Sequence, residues 1–183
     1  MLDLLPADVV LTASSGWFGK AIRFMTRRIG EAPSRVNHAG IIVSGGPVES
    51  SWIVEALRTV QHRNFWRAYR GRDKVAVYRA RNLTPEQQTR IAVHGCEYIG
   101  RKYGYLKILG QALDWPLQGA YVFRRLFQMD NYPICSWVVA ESYAKEGFNF
   151  GVPAGAATPD DCWDFCTKRT DLYECVLPLG TLK

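Results

Sequence analysis

Short runs of apolar residues, separated by turn-forming residues, recur along the chain. They predict β-strands at residues 7–13, 36–44, 51–57 and 74–81, because apolar and β-branched runs of this length are typical of buried strands. The second and third runs are joined through a GGP turn, so we expect them to pair as a hairpin. Near the C-terminus, the run YECVLPL at residues 173–179 predicts a final edge strand.

Helical patterns occur between these strands. Residues 16–30 repeat apolar side chains at helical spacing and end in glycine, a natural helix stop. Thr84 is followed by proline and then by Gln87, a capping box that predicts a helix running toward Gly100. Residues 151–161, rich in glycine, alanine and proline, are expected to form a loop.

The order of these elements is strand, helix, a run of strands and then helices. That order favours an α+β fold with an antiparallel sheet of about five strands packed against helices, rather than alternating βαβ units. A length of 183 residues suits one hydrophobic core, and the chain contains no repeat or low-complexity linker. We therefore expect a single domain over residues 1–183.

Composition and charge narrow the class of protein. With 48% hydrophobic and 22% charged residues the composition is globular, and no apolar run is long enough for a transmembrane segment. The first ten residues lack the features of a signal peptide, so we expect cytoplasmic synthesis, with phage association or signal-independent export if the protein acts outside the cell. A net charge of +6 favours anionic partners such as nucleic acid, acidic lipid or cell-wall polymer.

The densest basic segment, Arg63 to Lys74, interleaves arginines with aromatic residues. This pattern suits single-stranded nucleic acid, which binds by stacking and charge. We favour instead a solvated segment whose aromatic side chains face the core, and expect no nucleic-acid partner.

Five cysteines leave at least one thiol unpaired in a monomer. Cys162 and Cys166 are separated by three residues, which is not the usual spacing of a zinc site, and no histidine follows them. Cys135 differs, since it follows Pro133 at the predicted start of a helix that ends at Gly147. The positive end of a helix stabilises a thiolate there, and the backbone N–H groups of that turn can hold an oxyanion.

Two further polar residues stand in apolar strands. His38 precedes Ala39 and Gly40, two small residues that we expect to leave open space beside the ring. Glu55 is the one charge of the strand expected to pair with that of His38, and a buried carboxylate requires a partner. The residues alone leave two interpretations open: a Cys135–His38–Glu55 triad, or a core cysteine beside a satisfied core histidine.

Seven segments taken in order resemble the permuted NlpC-like papain-fold cysteine peptidase family, in its YiiX-like branch: DVVLTASS, AIRFMTRR, VNHAGIIV, IVEAL, GRKYGY, YPICSWVVAESY and TPDD. They span roughly residues 7–161. In that family the catalytic histidine comes first, an acidic residue follows on the next strand, and the catalytic cysteine comes last. The resemblance implies a papain-like, circularly permuted domain that needs no cofactor and no metal.

The resemblance also implies a role for each site residue. Cys135 would be the nucleophile, His38 the general base and acid, and Glu55 the residue that orients the imidazole. Tyr103 would offer its hydroxyl to the oxyanion, or it is a core aromatic, and the backbone N–H of Cys135 or Ser136 would be the other donor.

The family suggests two substrates. One is an amide of cell-wall peptide, cleaved by a peptidoglycan endopeptidase or amidase; the other is an acyl ester or thioester, turned over by a hydrolase or acyltransferase on lipid-like substrates. A non-catalytic binding module is the less favoured alternative. Two departures bear on substrate choice: Trp137 stands where relatives often carry a polar residue, and the apolar segment Ile108 to Met129 is long enough for a lid, a groove wall or a partner-binding surface.

Overall fold

The computed structural model describes four stretches of the chain: residues 2–14, 34–71, 74–103 and 133–182. The helix predicted at residues 16–30 and the segment Ile108 to Met129 lie outside the described residues. Within those four stretches, every helix is too short or too polar to cross a membrane.

A six-stranded antiparallel sheet forms the centre of the fold, and two further short strands pair separately. The strands are β1 (Asp3–Leu4), β2 (Val9–Ala13), β3 (His38–Ser44), β4 (Gly46–Pro47), β5 (Trp52–Ala56), β6 (Val60–Asn64), β7 (Lys74–Ala80) and β8 (Tyr173–Thr181). The order in the large sheet is β6-β5-β3-β2-β7-β8, and β1 pairs with β4. The sheet confirms the predicted α+β class, the pairing of β3 with β5 and the edge position of β8.

The predicted number of about five strands is wrong, because β6 was not recognised in the sequence. Its residues, VQHRN, are mostly polar, and within this strand the valine alone is buried. An edge strand can remain this polar because it borders one neighbour only and one side stays near water.

Helices cover both faces of the sheet. The described helices are α1 (Phe65–Tyr69), α2 (Pro85–Cys96), α3 (Cys135–Ala144) and α4 (Pro159–Lys168), with a 3₁₀ turn at Ala154–Ala156. Helices α2, α3 and α4 contribute to the larger core, which lies on the face of the sheet that carries Leu11 and Ile41. On the opposite face, α1 closes a smaller core that includes Ile53.

The capping box predicted at Thr84 and Gln87 is present, because each residue's side chain bonds the other's backbone N–H. The structure places the end of α2 at Cys96 rather than toward Gly100, and the end of α3 at Ala144 rather than Gly147.

The loop predicted at residues 151–161 is wrong in its last part. Thr158 and Asp161 form a second capping box, which begins α4. The sequence TPDD carries the same signal as TPEQ, with Asp in place of Glu or Gln at the third helical position.

The basic segment Arg63 to Lys74 folds mainly as the end of β6 and helix α1. Phe65 and Tyr69 are buried, with ring centroids 5.5 Å apart, while Arg67 and Arg70 face solvent. This arrangement agrees with the solvated segment that we favoured, since the aromatic side chains of α1 belong to the core.

Candidate active site

Cys135 is the first residue of α3, and the geometry of this helix start follows from the local sequence. Ile134 is the N-cap residue, in an extended conformation, and it makes no side-chain capping bond. The first backbone bond of the helix joins the Val138 N–H to the Ile134 carbonyl at 3.1 Å. Since no side-chain cap takes them up, the N–H groups of Cys135 and Ser136 border the sulfur as potential donors to an anion.

The start of α3 is fixed against the connection that leads into α4. The buried hydroxyl of Ser136 donates to the carbonyl of Ala157 at 2.7 Å. Helix α3 itself is buried along most of its length, and the side chain of Val138 is fully enclosed. The position of the Cys135 sulfur is therefore determined by core packing rather than by a loop.

The register of the sheet places His38 and Glu55 side by side. Gly40 lies directly opposite Glu55, and His38, two residues before Gly40, is on the same face of β3. Nε2 of His38 is 2.7 Å from a carboxylate oxygen of Glu55. The histidine side chain is 16% exposed and the glutamate 1%, so the pair lies at the edge of the solvent with its carboxylate inside.

Three donors surround the Glu55 carboxylate. Oε2 accepts from His38 and from the Tyr69 hydroxyl at 2.5 Å, and Oε1 accepts from Nη1 of Arg63 at 2.8 Å. Burial alone would raise the pKa of Glu55, but the hydrogen bond and charge of His38, followed by Tyr69 and Arg63, hold that pKa below its usual value. The carboxylate is therefore ionised at neutral pH.

Cys135 and His38 shift each other's pKa. Burial would raise the pKa of the thiol, yet the charge and hydrogen bond of His38, together with the Ala39 N–H and the Tyr103 hydroxyl, lower it. Burial would likewise lower the pKa of His38, but the facing sulfur and Glu55 raise it to about 10. Because Nε2 is taken by Glu55, Nδ1 is the ring nitrogen that remains for the sulfur. The two shifts together favour a thiolate–imidazolium pair.

Tyr103 reaches the same place from the chain that follows α2. Its hydroxyl is 4.0 Å from the Cys135 sulfur. The backbone N–H of Tyr103 donates to Arg58, and Thr59 forms an isolated bridge with Lys102, so this segment is attached to the turn between β5 and β6. The structure thus brings the four side chains predicted from the sequence, those of Cys135, His38, Glu55 and Tyr103, to one place.

One predicted detail of the site is wrong. Gly40 does not leave open space beside the ring, because a Cβ at this position would lie 2.6 Å from Cδ1 of Ile53 and 3.2 Å from the Val54 carbonyl oxygen. Glycine is required here for close packing between β3 and β5. The backbone N–H of Ala39 lowers the pKa of the Cys135 thiol.

Two site residues, Arg63 and Tyr69, were missed in the sequence. Both lie in the basic segment that was interpreted as solvated, with its aromatic side chains facing the core. The signal for Arg63 is period-2 alternation across the β5–β6 hairpin: Arg63 lies opposite Ile53, two residues from Glu55 and on the same face. Nothing in the sequence pointed to Tyr69, since its position depends on how α1 folds back over the sheet.

The other cysteines differ from Cys135. All five thiols are free, and burial raises the pKa of Cys96, Cys162 and Cys166. Cys162 and Cys166 lie one turn apart on α4, both buried. Cys135 is therefore the thiol whose surroundings favour ionisation. In the part of the chain that the structure describes, no group of three or more His, Cys, Asp or Glu side chains is arranged to hold a metal ion.

Comparisons with known proteins show a likeness to solved structures. No protein-family model matches the chain, and no curated protein matches it. Among solved structures, the chain is similar to the metalloprotein YiiX from Escherichia coli O157:H7, with a TM-score of 0.52 and 19% sequence identity over 94% of this chain and 88% of that one. At this identity the likeness shows a shared fold.

Proposed function

We propose that this protein is a cysteine hydrolase of the permuted NlpC-like papain-fold family, with Cys135 as nucleophile, His38 as general base and acid, and Glu55 as the residue that orients the imidazole. One observation carries the proposal. Cys135 is the first residue of a helix without a side-chain cap, His38 lowers the pKa of its thiol, and Nε2 of His38 is bound by a buried carboxylate at 2.7 Å. This combination meets the geometric and electrostatic requirements of an activated thiol.

Acylation begins from the thiolate–imidazolium pair. The thiolate of Cys135 attacks the carbonyl carbon of an amide, a C–S bond forms, and the carbonyl π electrons move to oxygen. The N–H groups of Cys135 and Ser136, with the Tyr103 hydroxyl, are the expected donors to this oxyanion. When the intermediate collapses, the C–N bond breaks and the leaving amine takes the proton of the His38 imidazolium.

Deacylation restores the starting state. Neutral His38 removes a proton from water while the water oxygen attacks the thioester carbon. The second tetrahedral intermediate then expels the thiolate of Cys135 and releases the carboxylic acid. His38 keeps the proton taken from water, so the ion pair is regenerated and the net reaction is hydrolysis of one amide bond.

We propose an amide of bacterial cell-wall peptide as the substrate, which makes the enzyme a peptidoglycan endopeptidase or amidase. Two features support this choice. The sequence motifs resemble the YiiX-like branch of a family that suggests cell-wall peptide as one substrate. The net charge of +6 also suits an anionic polymer.

Digestion of purified peptidoglycan tests the activity directly. Wild-type protein and Cys135→Ala are incubated with the polymer and with a panel of acyl esters and thioesters, and soluble products are identified by mass spectrometry. Cys96→Ala is the matched control, since it removes a thiol whose pKa burial raises. We expect new cell-wall peptide fragments with wild type and Cys96→Ala, and none with Cys135→Ala.

The same experiment separates the alternatives. Turnover of esters or thioesters without cell-wall fragments would indicate an acyl hydrolase or acyltransferase on lipid-like substrates. No turnover of either class, with a thiol at Cys135 that titrates like an ordinary cysteine, would indicate a non-catalytic binding module.

A further inference from the structure

The carboxylate of Glu55 has more partners than orientation of one histidine requires. Its titratable and charged neighbours among the described residues come from three elements: His38 from β3, Arg63 from β6 and Tyr69 from α1. Each oxygen has at least one donor within 2.8 Å, and the carboxylate is 1% exposed. Arg63 is 32% exposed, so its guanidinium reaches inward from the surface to Oε1.

We propose that Arg63 and Tyr69 are positioning residues, which hold Glu55 as a carboxylate in one orientation and thereby maintain the thiolate–imidazolium pair of Cys135 and His38. This inference rests on the proposed function and deepens it. It assigns a role in the site to two residues of the basic segment, which is otherwise explained by solvation alone.

Glu55 takes up a proton as pH falls, and its hydrogen-bond partners set the pH at which this happens. His38 and Tyr69 share Oε2, so Arg63 is the positive partner of the other oxygen, Oε1. Without the guanidinium, the buried carboxylate takes up a proton at a higher pH. A neutral Glu55 no longer stabilises the imidazolium, and the Cys135 thiolate then loses its counter-ion. Loss of Arg63 therefore raises the pH below which the thiol stops reacting.

Tyr69 also stabilises the thiolate–imidazolium pair, because it fixes the orientation of the Glu55 carboxylate. Its hydroxyl fixes Oε2 at the position from which that oxygen also bonds Nε2 of His38. Tyr69→Phe removes this bond and leaves the ring, so the packing of Phe65 against residue 69 is retained. We expect a smaller shift than for Arg63, because a neutral donor is lost rather than a charge.

The test is the pH profile of Cys135 alkylation by iodoacetamide, measured peptide by peptide with mass spectrometry. The variants are Arg63→Gln, Arg63→Lys and Tyr69→Phe. Arg67→Gln, which removes an exposed arginine of the same segment, is the matched control for net charge. The exposed thiol of Cys175 serves as the internal reference for reagent reactivity in every sample.

The acid limb of the profile is the low-pH range in which the alkylation rate of Cys135 falls as pH falls. In Arg63→Gln we expect this limb to move upward by about one pH unit, which is about a tenfold loss of rate at a pH on the limb. Arg63→Lys should recover part of the shift, Tyr69→Phe should show a smaller one, and Arg67→Gln should match wild type. A purely structural role for Arg63 would lower the melting temperature without moving the limb.

Two results would overturn the inference, and they differ from each other. If wild type shows an activated thiol and Arg63→Gln has the same acid limb, the positioning role is wrong while the proposed function stands. If wild-type Cys135 reacts like an ordinary thiol, the proposed function fails and the inference fails with it. Folding of each variant is checked by circular dichroism, and Arg63→Lys provides a second readout should Arg63→Gln unfold.

Discussion

Replacing Glu55 by glutamine tests whether the carboxylate stabilises the thiolate–imidazolium pair of Cys135 and His38. The side chain keeps its size, but the imidazolium of His38 loses a charge-assisted hydrogen bond of 2.7 Å inside the protein. Hydrogen bonds to charged groups contribute about 1.5–3 kcal/mol. If the whole free energy of this hydrogen bond stabilises the ion pair relative to the neutral thiol–imidazole pair, its loss lowers the ratio of ion pair to neutral pair by about 10- to 100-fold. A difference of about 1.4 kcal/mol corresponds to a factor of ten.

The expected signature is a pH-dependent loss of reactivity. The pKa of His38 is raised to about 10 and that of Cys135 is lowered, so the wild-type ion pair is favoured between the lowered pKa of the thiol and about pH 10. In Glu55→Gln the imidazolium is less stable, and the thiol ionises at higher pH. The rate of alkylation at Cys135 should therefore fall most below neutral pH, and the two proteins should converge above the usual pKa of a thiol.

Stability gives an independent check on the sign. The pKa of Glu55 is lower in the folded protein than its usual value, so its carboxylate stabilises the fold above the usual glutamate range and this contribution is lost as pH falls through the folded pKa. Glu55→Gln should therefore lose less of its melting temperature between neutral and acid pH than wild type does.

Glu174→Gln is the matched control, because Glu174 is 39% exposed and its ion pair with Arg81 lies on the surface. Identical alkylation profiles for wild type and Glu55→Gln would refute the reasoning. A uniform loss at every pH, accompanied by a lower melting temperature, would instead show that the substitution disturbs the fold.

Three further substitutions separate chemistry from packing. Tyr103→Phe should lower kcat by about 10²–10³-fold if its hydroxyl donates to the oxyanion, while the alkylation profile of the thiol shifts only slightly to higher pH, because His38 and the Ala39 N–H lower the thiol pKa more than this hydroxyl does; steady-state kinetics and alkylation measure the two effects. Ser136→Ala should lower the free energy of unfolding by about 1–3 kcal/mol, because the buried Ala157 carbonyl loses its 2.7 Å donor; urea denaturation measures this. Gly40→Ala should cost about 1–3 kcal/mol through overpacking against Ile53, and Ile53→Val in the same chain should recover part of that loss.

Each of these has a contrary outcome. Unchanged kcat in Tyr103→Phe would return this residue to the role of a packing aromatic. A stability of Ser136→Ala equal to that of wild type would mean that the Ala157 carbonyl finds another donor. Additive effects of Gly40→Ala and Ile53→Val would show that the two side chains do not compete for the same space.

The sequence by itself determined most of the secondary structure. Apolar runs and the Thr84 capping box act locally, and they correctly predicted the strands of His38 and Glu55 and the start of α2. The residue types also made Cys135 a candidate nucleophile, because a helix start creates an electrostatic environment that depends on the few residues around it, but they left a core cysteine as the alternative. A polar edge strand such as β6 was missed, since its stability comes from pairing with β5 rather than from its own composition.

Only the tertiary structure decided how the site is completed. Arg63 and Tyr69 reach Glu55 because β6 pairs beside β5 and α1 folds back over the same face. The alternation that places Arg63 becomes visible only once that pairing is known, and the fold of α1 over the sheet leaves no mark on the local sequence pattern. The Ala39 N–H lowers the pKa of the Cys135 thiol because packing places the start of α3 beside β3. Local pattern specifies which elements form, whereas the partners of a buried charge depend on three-dimensional packing, because those partners come from separate elements.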